Sequence, residues 1–230
     1  MLKDDFVCGY RDIENEKWAG ASGWHEPGGQ AVDTTNGAGP HNVQIFVLSP
    51  DGTVLTCLPG FWNPEDLAAE LELAQELNRV WQNPALSGAQ KCELFQRMQI
   101  AHVAEHSEAE HQRSHMQGFD ASFEAGRRFK NADVFANPHS NSTLLPMPRA
   151  NTVAGLKTVD VIMHERMARQ PFVRYEDFNV QAFSDYGLLM YDKHEDALAI
   201  RGRHYRVAHR GGHSGNYHPV SDALSSLAGI

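Results

Sequence analysis

The chain predicts an α/β fold, and three observations carry that expectation. Val43 to Leu48 is an apolar, β-branched and aromatic run of the length of one buried strand. Ser49-Pro50-Asp51-Gly52 follows as a tight turn, in which Pro50 presets φ and Gly52 takes the positive φ that closes a hairpin. Leu67, Leu71, Ala74, Leu77 and Trp81 then recur at helical spacing and make one apolar stripe.

The elements joining these signals are equally explicit. Thr53 to Leu58 is the return strand, and Pro59-Gly60 ends it. Asn63 is the expected N-cap, and Pro64 fits the first helical position, where no N–H is needed. Glu65 and Asp66 place negative charge at the positive end of the helix dipole. Asn83-Pro84 stops the helix. The series of Pro-Asp-Gly hairpin, Pro-Gly and Asn-Pro-Glu-Asp helix start resembles the C-terminal part of a thioredoxin-like domain, over residues 4 to 82. The resemblance implies a partial or modified thioredoxin-like sheet over residues 1–84, followed by a mainly helical C-terminal extension over 85–230. It also implies an accessory or binding module. The paired cysteines are missing, and so is the proline that catalytic members carry just before the hairpin: the matching position falls near Val43, with Pro40 too far upstream.

Upstream, Asp5 to Asp12 reads as a strand, and 13–41 as a long Gly-rich loop in which Trp18, Trp24 and His25 are candidates to line a site. In the thioredoxin-like order a central strand would precede Asp5, so either the start of the chain is truncated, a later segment fills the slot, or the first strand pairs elsewhere. Downstream, Ser87 to about Gln117 reads as one long helix, capped by Ser87, with Leu94, Phe95, Met98 and Ala101 as its apolar stripe and Gly118 as its end. A shorter helix spans Asp120 to Lys130. The proline- and asparagine-rich stretch 131–152 is the best internal boundary. Helices follow over Thr152 to Gln170 and, aromatic-rich and shorter, within Glu176 to Asp192. Ala197 to Val207 suggests a hairpin or an extra strand, and the tail is rich in Gly, Ser and His.

Composition limits the function. A net charge of −9 with histidines neutral argues against a nucleic-acid binder, which needs basic surface to displace counterions. No apolar run approaches the length of a membrane span, and Asp4 and Asp5 interrupt any signal-peptide core. The chain as written is expected to be cytoplasmic, or exported if an upstream signal segment is missing. An aromatic, loop-heavy second half suits a protein partner or a homo-oligomer.

The three cysteines, Cys8, Cys57 and Cys92, contain no CxxC pair, so neither a zinc ribbon nor a dithiol redox motif is written here. Cys8 and Cys57 remain weak candidates for single-thiol chemistry, which requires nearby positive charge to lower the thiol pKa. The thirteen histidines are the stronger signal. His102 and His106, and then His111 and His115, stand four apart and share helix faces, so each pair can hold a transition metal such as zinc through two imidazoles. On one continuous helix the two pairs face opposite ways. His102 and His106 continue the face of Phe95 toward the core, and a distant carboxylate, histidine or Cys92 would complete their site. Cys92 cannot do so from the same helix, lying about 15 Å away along the axis. His102-x-x-Glu105-His106 also spells the HxxEH string of inverted zinc peptidases, which would need a third ligand and a cleft. His204, His209, His213 and His218 form a second, basic cluster, suited to an anion, a metal or an acidic partner. Three readings stay open: a degenerate thioredoxin-like binding module with a metal site, a thiol-dependent redox protein, and a metal-dependent hydrolase.

Overall fold

The computed structural model describes residues 2–22, 34–136 and 155–191. The fold is α/β in the loose sense, with a small sheet set against a larger body of helices. A four-residue helix α1 (Leu2–Asp5) opens the chain. Strands β1 (Ala21–Ser22) and β4 (Met190–Tyr191) form a short parallel pair. Strands β2 (Gln44–Leu48) and β3 (Val54–Pro59) form the antiparallel hairpin. Gly52 ends the Ser49–Gly52 turn with φ +84°, its N–H donating to Ser49 O at 2.9 Å, a left-handed conformation that favours glycine. Every residue of β3 is buried, whereas β2 is buried fully only at Val47. The strand expected over Asp5 to Asp12 does not form; after α1 those residues run without regular structure, and only Phe6 packs on the core.

Helix α2 (Pro64–Gln82) buries Leu71, Ala74 and Leu77 as its stripe predicts, with Leu67 and Trp81 half-buried at the margins. Its start differs in one detail. The Asn63 side chain makes no capping hydrogen bond. Instead Asn36 Oδ1 accepts from both Asn63 N (2.8 Å) and Asn63 Nδ2 (3.0 Å), and Asn36 Nδ2 donates to Asp66 Oδ2 (2.7 Å). A residue of the preceding loop thus pins both the N-cap residue and the first-turn Asp66.

Helix α3 (Gly88–Glu105) begins with the expected Ser87, in a reciprocal capping box with Gln90. The expected single helix to Gln117 is two. It breaks at His106, and α4 (Glu108–Arg113) starts under a second serine cap, with Ser107 Oγ accepting from Glu110 N at 3.2 Å. The physical reason is local: Ser107-x-x-Glu110 offers a new helix start in mid-pattern. Arg113 then clamps α4 to α2, donating to both carboxylate oxygens of Asp66 at 2.9 and 2.5 Å.

Helix α5 (Gly118–Gly126) starts at Gly118, the residue expected to end its predecessor, because the chain has already turned at α4. Helix α6 (Val159–Ala168) is buried around most of its circumference and packs on α3 and β3. Helix α7 (Val180–Phe183) and 3₁₀ turns at Ala132–Val134 and Tyr175–Asp177 complete the described elements. One apolar core joins β2, β3, α2, Phe95 of α3, Met163 and Met167 of α6, and Phe172, Phe178 and Phe183, so it draws on both sides of residue 84. Among the described residues no helix is long and apolar enough to cross a membrane. The expected hairpin at 197–207, the cluster His204, His209, His213 and His218, and Trp24 and His25 lie outside the described residues.

Candidate metal centre

Where α2, α3 and α6 meet, their buried faces turn polar. Glu70 occupies the apolar stripe of α2, between Leu67 and Ala74, and its side chain is fully buried. On α3 the face begun by Phe95 continues through Gln99, His102, Val103 and His106, since residues three and four apart share a helix face. On α6, Asp160 and His164 are four apart and both completely buried. These residues meet.

Three imidazoles converge on one carboxylate oxygen. Glu70 Oε1 lies 2.9 Å from His164 Nε2, 3.6 Å from His102 Nε2 and 3.9 Å from His106 Nε2. All four donors fall within 4.8 Å of one another, as a set able to hold one metal ion. Ligands about 2.0–2.1 Å from a shared ion stand roughly 2.9 Å apart at a right angle and about 3.4 Å apart at the tetrahedral angle. The His164 separation equals the right-angle value, and those of His102 and His106 exceed the tetrahedral one, His106 the more.

Neighbours fix the rings so that these nitrogens face inward. Asp160 Oδ2 accepts from His106 Nδ1 at 2.9 Å and from His111 Nδ1 at 2.7 Å. A carboxylate only accepts, so each Nδ1 carries a proton, and a neutral His106 ring presents its Nε2 as a lone pair. Gln99 Oε1 lies 2.6 Å from His164 Nδ1 on the far side of that ring from Glu70. With its proton on Nδ1 toward Gln99, a neutral His164 turns the Nε2 lone pair to Glu70, where a cation would sit between them. Carboxylate or amide oxygens behind the ligating rings are the support that metal-binding histidines use.

The electrostatics point the same way. Burial pushes the Glu70 carboxyl up, but the charge and hydrogen bonds of His164 and His102 outweigh it and hold the group at about 2. Burial likewise opposes ionisation of Asp160, and its bonds to His106 and His111 overcome that and keep it far below the usual carboxylate range. Burial pushes His164 down. His102 is also opposed by burial, yet Glu70 raises it. The site therefore gathers two buried anions, with burial disfavouring the charged form of His164 while Glu70 favours that of His102. Glu70 Oε2, His102 Nε2, His106 Nε2, Glu110 Oε1 and Asp160 Oδ1 are buried without hydrogen-bond partners. Buried groups of this kind are costly unless paired, and a divalent cation would pair several of them at once.

Searched against protein families, curated proteins and solved structures, the chain finds no match. The residues of the site therefore speak for themselves.

Of the histidines singled out from the sequence, His102 and His106 face the core as expected and belong to the four-donor set. His111 was expected to face away. The break at His106 and Ser107 removes the half-turn offset on which that rested, and His111 returns to within 5.8 Å of the His106 ring, on the shared Asp160. His115 stays apart, its Nδ1 against Gln112 O at 2.5 Å. The distant carboxylate and histidine are Glu70 and His164, neither of which spacing had singled out. Glu105 of the HxxEH string is exposed. Cys92 is half-buried and outside the set. Cys57 is buried in β3, and burial pushes its thiol well up, the opposite of what a nucleophile needs. Cys8, expected on a strand, lies exposed after α1.

Proposed function

We propose that this chain is a metal protein in which Glu70, His102, His106 and His164 bind one divalent transition-metal ion. The observation that carries the reading is the convergence of three Nε2 atoms on Glu70 Oε1 inside the helical core, with Asp160 and Gln99 behind two of the rings. Three imidazoles and a carboxylate without thiolate suit zinc, iron(II), cobalt(II), nickel or copper(II) rather than a soft-metal or iron–sulfur site. Bound there, the ion would supply Lewis acidity and positive charge. The protein's part is to hold the rings in one tautomer and to exclude water from the inner side.

For the thioredoxin-like reading of residues 4 to 82 the support is limited to the β2–β3 hairpin, its Pro-Asp-Gly turn and α2, since the strand it needs at Asp5 to Asp12 does not form, and the metal reading does not depend on it. Single-thiol chemistry has no support at Cys57.

The test is elemental analysis of the purified full chain together with calorimetric titration of the chelator-treated protein with Zn²⁺ and Co²⁺. One ion per chain is expected, with His164→Asn and Glu70→Gln each weakening it at least about tenfold while far-UV circular dichroism is retained. Absence of stoichiometric uptake of either ion by the folded wild-type chain would overturn the proposal.

A further inference from the structure

The site is fully buried on one side and nears the surface on the other, where side chains are part-exposed although His102 Nε2, His106 Nε2 and Glu110 Oε1 are themselves covered. Glu70, Asp160 and His164 have no side-chain exposure and His106 has 4%, whereas His102, His111 and Glu110 expose 20%, 15% and 13%. The three part-exposed residues share a rim around His106. His102 and His106 rings lie 4.9 Å apart and His106 and His111 rings 5.8 Å apart, while Glu110 Oε1 stands 3.4 Å from His106 Nε2. Glu110 Oε1 has no hydrogen-bond partner. Glu110 is there because the α3–α4 break puts it at the third position of α4, under the Ser107 cap.

Resting on the metal reading above, we infer that the bound ion keeps one exchangeable coordination position on this rim, and that Glu110 flanks it as a hydrogen-bond acceptor. Four protein donors close a structural zinc site, but iron, cobalt, nickel and five-coordinate zinc accept a further ligand, and a site that does chemistry keeps a position open. The position selects by chemistry. A carboxylate beside it accepts a proton from its occupant and repels a bare anion. The class of ligand it takes is therefore a small oxygen ligand that carries its own proton, with water at rest. The inner wall of Glu70, Asp160 and His164 has no side-chain exposure, so among the described residues the way in from solvent runs past His102, Glu110 and His111.

Cobalt-substituted full-length protein tests this, with azide as the probe and the visible d–d spectrum as the readout. A saturable spectral change on adding azide to the wild type is expected. In Glu110→Gln azide should bind about tenfold or more tightly, because a like charge a few ångströms away is removed and an amide N–H replaces it. Cobalt bound one to one with a spectrum indifferent to azide in both proteins overturns the open position. Equal azide affinity in both removes Glu110 from it. If the variant does not fold, the wild-type titration alone decides whether the position exchanges. Failure to take up cobalt at all is a different result: it sinks the metal centre itself, and this inference with it.

Discussion

His106 and Asp160, 54 residues apart in the chain, are joined by a 2.9 Å hydrogen bond from the ring Nδ1–H to carboxylate Oδ2. That single bond turns the other ring nitrogen toward Glu70, and the same oxygen holds His111 at 2.7 Å. The carboxylate thus sets the orientation of two imidazoles on separate helices without belonging to the inner four-donor set.

Replacing it tests that role. Asp160→Asn keeps the size but removes the negative charge that the His106 and His111 N–H groups both face through one oxygen, Oδ2, and so weakens the two bonds that orient the rings. Metal affinity should fall about 10- to 100-fold with the fold retained, as for other groups that orient ligating histidines. Competition against a chelator of known affinity measures this, and unchanged affinity would contradict it.

The pH dependence follows from His102. Glu70 raises its pKa above the ordinary 6.5 despite burial. In the metal-free protein, the stability contributed by protonated His102 beside Glu70 is fully present below 6.5 and is lost as pH rises through the raised value. A metal ion needs the deprotonated ring, so protons compete with it over the same interval. His164, pushed down by burial, sets no threshold there. The gain in Tm on adding Zn²⁺ should therefore grow from about pH 5.5 to pH 8. Scanning calorimetry with and without metal reads it, and a gain that does not change with pH speaks against His102 as a ligand.

Ser107 is the device that bends the chain at the site. Ser107→Ala removes the acceptor for Glu110 N, and loss of such a cap costs about 1 kcal/mol. Because Glu110 and His111 both lie on α4, the loss should also weaken metal binding, whereas Ser87→Ala at the far end of α3 should cost similar stability and leave affinity alone. Denaturant melts paired with metal titrations separate the two effects.

The thiols give a check on packing. Cys8 is exposed and should react with a disulfide reagent in the native protein, whereas Cys57, buried and with its thiol pushed up, should react only on unfolding. Native labelling of Cys57 would place β3 elsewhere.

Much of the framework was legible in the residues. The hairpin with its Gly52 turn, the start and stop of α2, the Ser87 cap and the inward face of His102 and His106 all follow from local rules that hold whatever surrounds them. The strand at Asp5 to Asp12 failed because a short apolar alternation next to the chain end needs a partner strand, and among the described residues none pairs with it. Two signals within reach pointed to the rest. Glu70 interrupts an otherwise apolar stripe, and a charge on a core face needs a partner. Ser107-x-x-Glu110 is as good a helix start as Ser87-x-x-Gln90, and reading it as one would have brought His111 inward. Asp160 and His164 were less accessible, since α6 is buried nearly all round and its pattern does not say which side meets α3.

Glu70 and His164 are 94 residues apart, with His102 and His106 between them in sequence. An ion shared by them ties three distant stretches of chain into nested loops, in the manner of a removable staple. It would act on the native state, because the unfolded chain does not present the assembled donors, so binding free energy adds to folding free energy. A cell short of the metal would then hold less folded protein, so that supply of the ion governs how much of the protein survives as well as how much of it works.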